Sequence, residues 1–439
     1  MVLKSSMKLF SSGGTFLARR VLVRRYDGIG GCLPQLLASS SRVQTREFSA
    51  GSSDMTVAVH PQQERATSEQ QKRRFSSTEL GEDGSPRLNL MKEHMHSMKL
   101  KDSLDPIPYT STIPLTPLNE GELGKLSHKK VSIVGCGQVG LAIGYALLNQ
   151  TAAGTIALID MNEQKLLGEA KDLQQGSGFH ENVRIIAGTH YEVSAHSHLV
   201  IVTAGVAQKP GESRLSLVER NTQIMKDIIP QVLAHSPHAA ICIVSNPCDI
   251  MTAVAAKVAG PSVPPGRIFG SGTCLDSSRL QSLLAQTLNM DAQSVSGFVV
   301  GEHGDSSVAL WSSVRVGGIP MLREGEAPSD ILLHMHREVI DSAYDVIQRK
   351  GYTNWAVGLT GAFIGKAVLN DQRKIMTVST CVRGIHGINE DVFLSMPCSI
   401  GAHGVRRVVN IPMTEYEVGE FQRAAEQIWK VQEGIWEGI

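Results

Sequence analysis

The stretch Val131-Ser132-Ile133-Val134-Gly135-Cys136-Gly137-Gln138-Val139-Gly140 decides the fold. A short apolar strand runs straight into G-x-G-x-x-G, and Gln138 to Asn149 then reads as a helix. Each glycine has a task in such a strand–turn–helix unit. Gly135 permits the tight turn, Gly137 lets backbone approach a pyrophosphate, and Gly140 lets helix and strand pack closely. Free N–H groups at the helix N-terminus, with the helix dipole behind them, favour negative charge. Thr155 to Ile159 is the next strand and runs into Asp160, twenty residues beyond Gly140. A carboxylate there accepts hydrogen bonds from the adenosine ribose hydroxyls and repels a 2′-phosphate, so NAD is expected rather than NADP. The competing reading of Asp160 is an ordinary strand-end turn residue.

Outward from this unit, strands and helices keep alternating. Asn162 to Gln174 is expected to be helical, His198 to Thr203 and Ala239 to Ser245 are strands, and Glu219 to Ala234 is a helix between them. That alternation predicts a doubly wound parallel sheet of the Rossmann type over residues 128–272. Near Thr273 the pattern changes. Leu275 to Leu288, Ser329 to Lys350 and Thr414 to Trp436 read as helices, and Val295 to Gly301 as one strand. Residues 273–439 are therefore expected to form a second, α+β domain that holds the substrate.

The chain ahead of this region differs in composition. Within residues 1–50, eight basic residues (Lys4, Lys8, Arg19, Arg20, Arg24, Arg25, Arg42, Arg46) face only Asp27 and Glu47, among many serines. An Arg-rich, Ser-rich, acid-poor start is the signature of an organellar transit peptide, and Arg46-Glu47-Phe48-Ser49-Ala50 resembles a mitochondrial processing site. A mitochondrial address is expected, with plastid and cytoplasmic locations as alternatives. Residues 51–127 lack hydrophobic periodicity and read as a disordered linker, with a stretch around Pro106 to Pro117 able to serve as an oligomerisation arm. His94 and His96 lie on this polar segment and read as solvated side chains, so no metal is expected.

The whole chain of 439 residues carries 42 basic and 42 acidic residues, which gives no global argument for nucleic acid or an anionic membrane as partner. No run of 18 apolar residues appears, so no membrane-spanning helix is expected. Seven scattered cysteines without a C-x-x-C pair argue against a disulfide framework or a structural zinc site.

Four further strings carry chemistry: Thr203-Ala204-Gly205-Val206-Ala207-Gln208-Lys209-Pro210-Gly211-Glu212-Ser213-Arg214, Ser245-Asn246-Pro247, Leu275-Asp276-Ser277-Ser278-Arg279, and Gly301-Glu302-His303-Gly304-Asp305-Ser306. Read on their own, they supply a histidine suited to proton exchange near neutrality, a carboxylate to partner it, and guanidinium groups to hold a carboxylate substrate. In this order and spacing, from about Lys129 to Gly434, they resemble the L-lactate/malate dehydrogenase family. The resemblance implies His303 as acid/base and Asp276 as the group that orients its imidazole. Arg279 would grip the substrate carboxylate, and Arg214 would reach the reacting carbonyl from a mobile loop. Asn246 would contact substrate or nicotinamide ribose, Thr353 would limit the pocket, and Thr203, Ala204 and Gly205 would line the cofactor crevice. Turn-forming for Asn246 and helix packing for Thr353 are the alternatives.

Gln208 matches the family's selectivity position. A substrate with a second carboxylate would enter a closed pocket there without a cationic partner, which costs several kcal/mol, so pyruvate and lactate fit better than oxaloacetate and malate. A glutamine turned to solvent would remove that argument. Ala207 departs from the Arg or Asn that often precedes this glutamine in the family. The expected partners are a small 2-oxo or 2-hydroxy acid and further copies of the chain, as a dimer or tetramer. Competing readings are a related 2-hydroxyacid or malate dehydrogenase, and a cofactor-binding relative without activity.

Overall fold

A computed structural model describes residues 129–181, 183–206, 214–323 and 325–436. The expected transit segment and linker, and Gln208 in the 207–213 stretch, lie outside the described residues. Chain order in the first half is β1 (Lys130–Val134), α1 (Gln138–Asn149), β2 (Thr155–Ile159), α2 (Glu163–Gln175), β3 (Arg184–Gly188), β4 (Leu199–Val202), α3 (Arg214–His235), β5 (Ala240–Ile243), α4 (Cys248–Ala259) and β6 (Ile268–Gly270). The strands pair in parallel in the order β3-β2-β1-β4-β5-β6, the doubly wound arrangement that the glycine-rich turn implies. β4 and β5 are buried along their whole length, as strands covered by helices on both faces must be.

The second half runs α5 (Cys274–Leu288), β7 (Val295–Ser296), β8 (Val299–Gly301), β9 (Ser307–Ala309), β10 (Arg315–Val316), β11 (Ile319–Pro320), α6 (Asp330–Lys350), α7 (Trp355–Leu369), β12 (Lys374–Cys381), β13 (Phe393–Gly401), β14 (Gly404–Val408) and α8 (Glu415–Trp436). β12 joins the edge of β6 in antiparallel fashion, and β13, β8 and β9 follow, so one eleven-stranded sheet crosses the expected boundary near residue 272. β7, β10 and β11 form a separate three-stranded sheet.

The single strand expected over Val295 to Gly301 is therefore two strands in two sheets. The chain changes sheets at Gly297, where an added Cβ would lie 3.0 Å from a Val314 methyl carbon. The helix expected from Glu219 begins earlier, at Arg214. Two helices absent from the sequence reading are α4 and α7. The first eight residues of α4 are all buried, so it shows no polar stripe to read. α7 carries Gly358 and Gly361, which read as breakers. A Cβ on Gly358 would lie 2.8 Å from Ala142, so these glycines let α7 press against α1. No described helix is long and apolar enough to cross a membrane.

Candidate active site

The cofactor cradle is built where β1 meets α1. Gly135 sits at φ +93°, and a Cβ there would lie 2.5 Å from the Ala204 backbone nitrogen. A Cβ on Gly140 would lie 2.0 Å from the Gly135 carbonyl oxygen, which Thr203 Oγ1 also claims through a 2.5 Å hydrogen bond. Gly137 is different, because its added Cβ would meet nothing within 4 Å. That open space lies before a helix with no side-chain cap and no acidic residue in its first turn. Unclaimed N–H groups and an empty approach fit a pyrophosphate, as the sequence implies.

Asp160 has a second task that the sequence did not disclose. Its two oxygens accept from the Cys136 N–H at 2.7 Å and the Asn162 N–H at 2.9 Å. The carboxylate thus ties the glycine-rich turn to the end of β2. Its remaining lone pairs are free in number to accept a ribose hydroxyl.

The acid/base candidates converge as expected. Asp276 lies in the first turn of α5, where its negative charge suits the helix dipole. Its Oδ2 meets His303 Nδ1 at 2.6 Å and its Oδ1 accepts from Arg279 at 2.8 Å. Arg279 reaches it because residues three apart share a helix face. His303 follows the end of β8, and its side chain is 26% exposed while Asp276 is 8% exposed. With Nδ1 on the carboxylate, Nε2 is the nitrogen left to meet a substrate.

Electrostatics follow from this contact. The Asp276 charge raises the His303 pKa from 6.5 to about 9, against burial, which works to lower it. Burial would raise the Asp276 carboxyl, but His303 and Arg279 together hold it below the usual carboxylate range. The His303 value is raised on folding, so the stabilisation it brings is complete below pH 6.5 and is lost as pH climbs through about 9. The stability advantage of the wild-type chain over Asp276→Asn is therefore expected to shrink as pH rises from about 6 to about 10. Paired melting curves across that range check this, and a constant gap would contradict it.

Two residues that hold the site's backbone escaped the sequence reading. Asp249, 2% exposed in the first turn of α4, accepts the His303 backbone N–H at 2.7 Å. Burial raises its carboxyl to about 6, against the pull of that N–H. The signal was present as a charge set inside the apolar run Cys248-Asp249-Ile250-Met251. Asn221, on α3, accepts from the Val206 N–H at 2.9 Å and donates to the Asn246 carbonyl oxygen at 2.8 Å. A lone asparagine on a helix gave no signal.

Of the other expected residues, Ala204 and Gly205 line the exit from β4, and the Ala204 carbonyl accepts from Ser245 Oγ at 2.6 Å. Asn246 is exposed just beyond β5. Thr353 is half-buried between α6 and α7, and among the described residues no hydrogen bond joins it to the His303–Asp276–Arg279 cluster. Arg214 opens α3, but its side chain, like all of Gln208, is outside the described residues.

Comparison with known proteins agrees with this geometry. Residues 129–270 match the model of the lactate/malate dehydrogenase NAD binding domain, and residues 273–437 match the alpha/beta C-terminal domain of the same family. The chain belongs to this family. Among similar lactate/malate dehydrogenases is the L-lactate dehydrogenase B-B chain of Danio rerio, 42% identical over 326 residues, which cover 73% of this chain and 97% of that one. The L-lactate dehydrogenase A chain of Columba livia is 44% identical over 314 residues, 70% of this chain and 94% of that one. The A chain of Gallus gallus matches over the same length at the same identity, 44% over 314 residues. In this dehydrogenase the cradle and the histidine cluster fall in the two separately matched halves. Asp249, in the first turn of α4 and so in the first matched half, holds the His303 backbone of the second.

Proposed function

We propose that this chain is an NAD-dependent L-lactate dehydrogenase that interconverts pyruvate and L-lactate. The observation that carries the reading is the His303–Asp276–Arg279 cluster, with the His303 backbone held by Asp249 from the cofactor-binding half. The names of the similar proteins agree with it.

Bound NADH supplies the hydride to C2 of the keto acid. The side chains do the rest. Arg279 pairs with the substrate carboxylate and sets the carbonyl before His303. Protonated His303 gives the proton on Nε2 to the carbonyl oxygen as negative charge develops there, and it takes the proton back in lactate oxidation. Asp276 fixes the ring through Nδ1 and stabilises the imidazolium. Arg214 adds positive charge at the carbonyl oxygen, and loop closure over the site excludes water around it. Asn246 contacts substrate or nicotinamide ribose, and Thr353 bounds the pocket.

Gln208 favours a methyl side chain over a second carboxylate, so pyruvate is expected to exceed oxaloacetate by about 100-fold or more in kcat/KM, the scale of an unpaired buried charge. Assays on pyruvate, 2-oxobutyrate, 4-methyl-2-oxopentanoate and oxaloacetate test this. Preference for oxaloacetate would make the chain a malate dehydrogenase, and preference for the branched acid would mean a wider pocket.

The protein works as a homodimer or homotetramer in this reading. Large apolar side chains exposed on the described surface support it, including Phe179 at 95%, Trp355 at 63% and Leu359 at 59%. A monomer by sedimentation at micromolar concentration would exclude it. Residues 1–50 act as a mitochondrial transit peptide. Sequencing the N-terminus of the protein from its own cells tests that, and an intact Met1 would exclude cleavage.

A further inference from the structure

β4 and β5 are neighbours in the sheet, and their ladder runs to Val202 and Ile243. One more bond, from the Val244 N–H to the Val202 carbonyl, extends it. Beyond that point the backbone ladder stops, at the edge where strand ends face the ligand crevice of a doubly wound sheet, and the Ser245 hydroxyl donating to the Ala204 carbonyl ties the two chains next. The β4 exit leads through Ala204, Gly205 and Val206 toward Gln208 and Arg214. The β5 exit leads through Ser245 to Asn246. Side chains expected to hold the substrate thus leave from two separate roots.

Asn221 adds a second tie between those roots, at Val206 and Asn246. It is 1% exposed and lies on α3 two turns past Arg214. Its Oδ1 accepts the Val206 N–H at 2.9 Å, and its Nδ2 donates to the Val206 carbonyl at 3.3 Å. The side-chain amide therefore pairs with Val206 as a neighbouring strand would, where no strand remains. The same Nδ2 donates its other hydrogen to the Asn246 carbonyl at 2.8 Å. Gly205 lies beside this arrangement, where an added Cβ would make ordinary contact with Asn221 Oδ1 at 3.4 Å and Ser245 at 3.7 Å.

The position calls for one acceptor and two donors within a single planar group. Only a primary amide offers that set at this size. Aspartate has the same shape and no donor when ionised, so it would face two carbonyl oxygens with like partial charge. A hydroxyl keeps one donor. Buried backbone groups deprived of their partners would then shift to find others.

We propose that Asn221 is a positioning residue of the reaction, a strut that fixes the distance between Val206 and Asn246 and so places the substrate-holding side chains. It has no hydrogen bond to the glycine-rich cradle or to Asp160, so the pyrophosphate and adenosine contacts that carry most of the cofactor's hold do not pass through it. The assignment rests on the dehydrogenase reading given above.

The test compares the wild-type chain with Asn221→Asp and Asn221→Ser in the full-length protein. Measurements are kcat and KM for pyruvate, NADH affinity by fluorescence, binding of oxamate (an isostere of pyruvate) to the NADH complex by calorimetry, and melting temperature. Asn221→Asp is expected to lose about 100-fold in kcat/KM and a similar factor in oxamate affinity, the scale of lost substrate positioning. Asn221→Ser is expected to lose about tenfold, with NADH affinity within about threefold of wild type for both. Unchanged kcat/KM in a folded Asn221→Asp variant overturns the proposal. So does a loss of NADH affinity as large as the loss of kcat/KM, which marks a folding role. If Asn221→Asp does not fold, Asn221→Ser decides by the same two criteria. A wild-type chain that ignores pyruvate would sink the lactate reading alone, and the variant ratios are then taken on the keto acid it does reduce.

Discussion

His303→Ala is expected to lower kcat for pyruvate reduction by about 10³- to 10⁴-fold, near the upper range of general acid catalysis. The loss falls on kcat because the proton donated from Nε2 matters most as charge builds on the carbonyl oxygen. NADH affinity should stay within about threefold, since the glycine-rich cradle and Asp160 share no hydrogen bond with His303. The backbone N–H of residue 303 still meets Asp249, so the turn keeps its anchor. Stopped-flow reduction and NADH fluorescence titration would separate the two quantities. A variant that loses cofactor binding in step with turnover would assign His303 a folding role and remove the acid/base reading.

The second large effect is expected at Arg279→Lys, although charge is kept. Lysine presents a compact charge where the guanidinium fork grips a carboxylate in two-point fashion. Truncating one partner of a close charged pair costs roughly 2–5 kcal/mol, so kcat/KM for pyruvate should fall by about 10²- to 10³-fold. Most of that should appear in KM, because the substrate carboxylate is held before and during hydride transfer alike. Arg279→Leu adds a sign to test. The guanidinium holds the His303 pKa down, so removing it should move the alkaline limb of pyruvate reduction upward. Movement to lower pH, or an unchanged KM in the lysine variant, would mean that Arg279 serves only its ion pair with Asp276.

How much of this was legible beforehand depends on what kind of signal each part leaves. The turn from Val134 to Gly140 was readable because three glycines at fixed spacing answer three different crowding problems, two of which the structure shows as clashes below 3 Å. Asp276 and Arg279 were readable because helical spacing puts them on one face. Asp276 with His303 was not readable from spacing, since 27 residues and two sheet strands separate them. Resemblance to a family supplied that pairing. α4 and α7 were missed because a helix buried all round, or one pitted with glycines for a close neighbour, shows no amphipathic stripe. Val295 to Gly301 looked like one strand because periodicity carries no information about which sheet a residue joins. Asn221 was silent because its contacts are all to backbone, and backbone partners are not written in side-chain identities.

The uninterrupted sheet has a consequence for engineering. Its cofactor half and substrate half meet where Ser379 on β12 lies opposite Gly270 on β6. Splitting the gene between Gly270 and Thr273 would leave each fragment with a raw strand margin and no cover, a surface that invites clumping before reassembly. Swapping one half for that of a distant cousin would need a matched seam as well as a matched pocket. Selection therefore has to move both halves together, and residues along that seam should tolerate exchange less readily than their distance from the chemistry would imply.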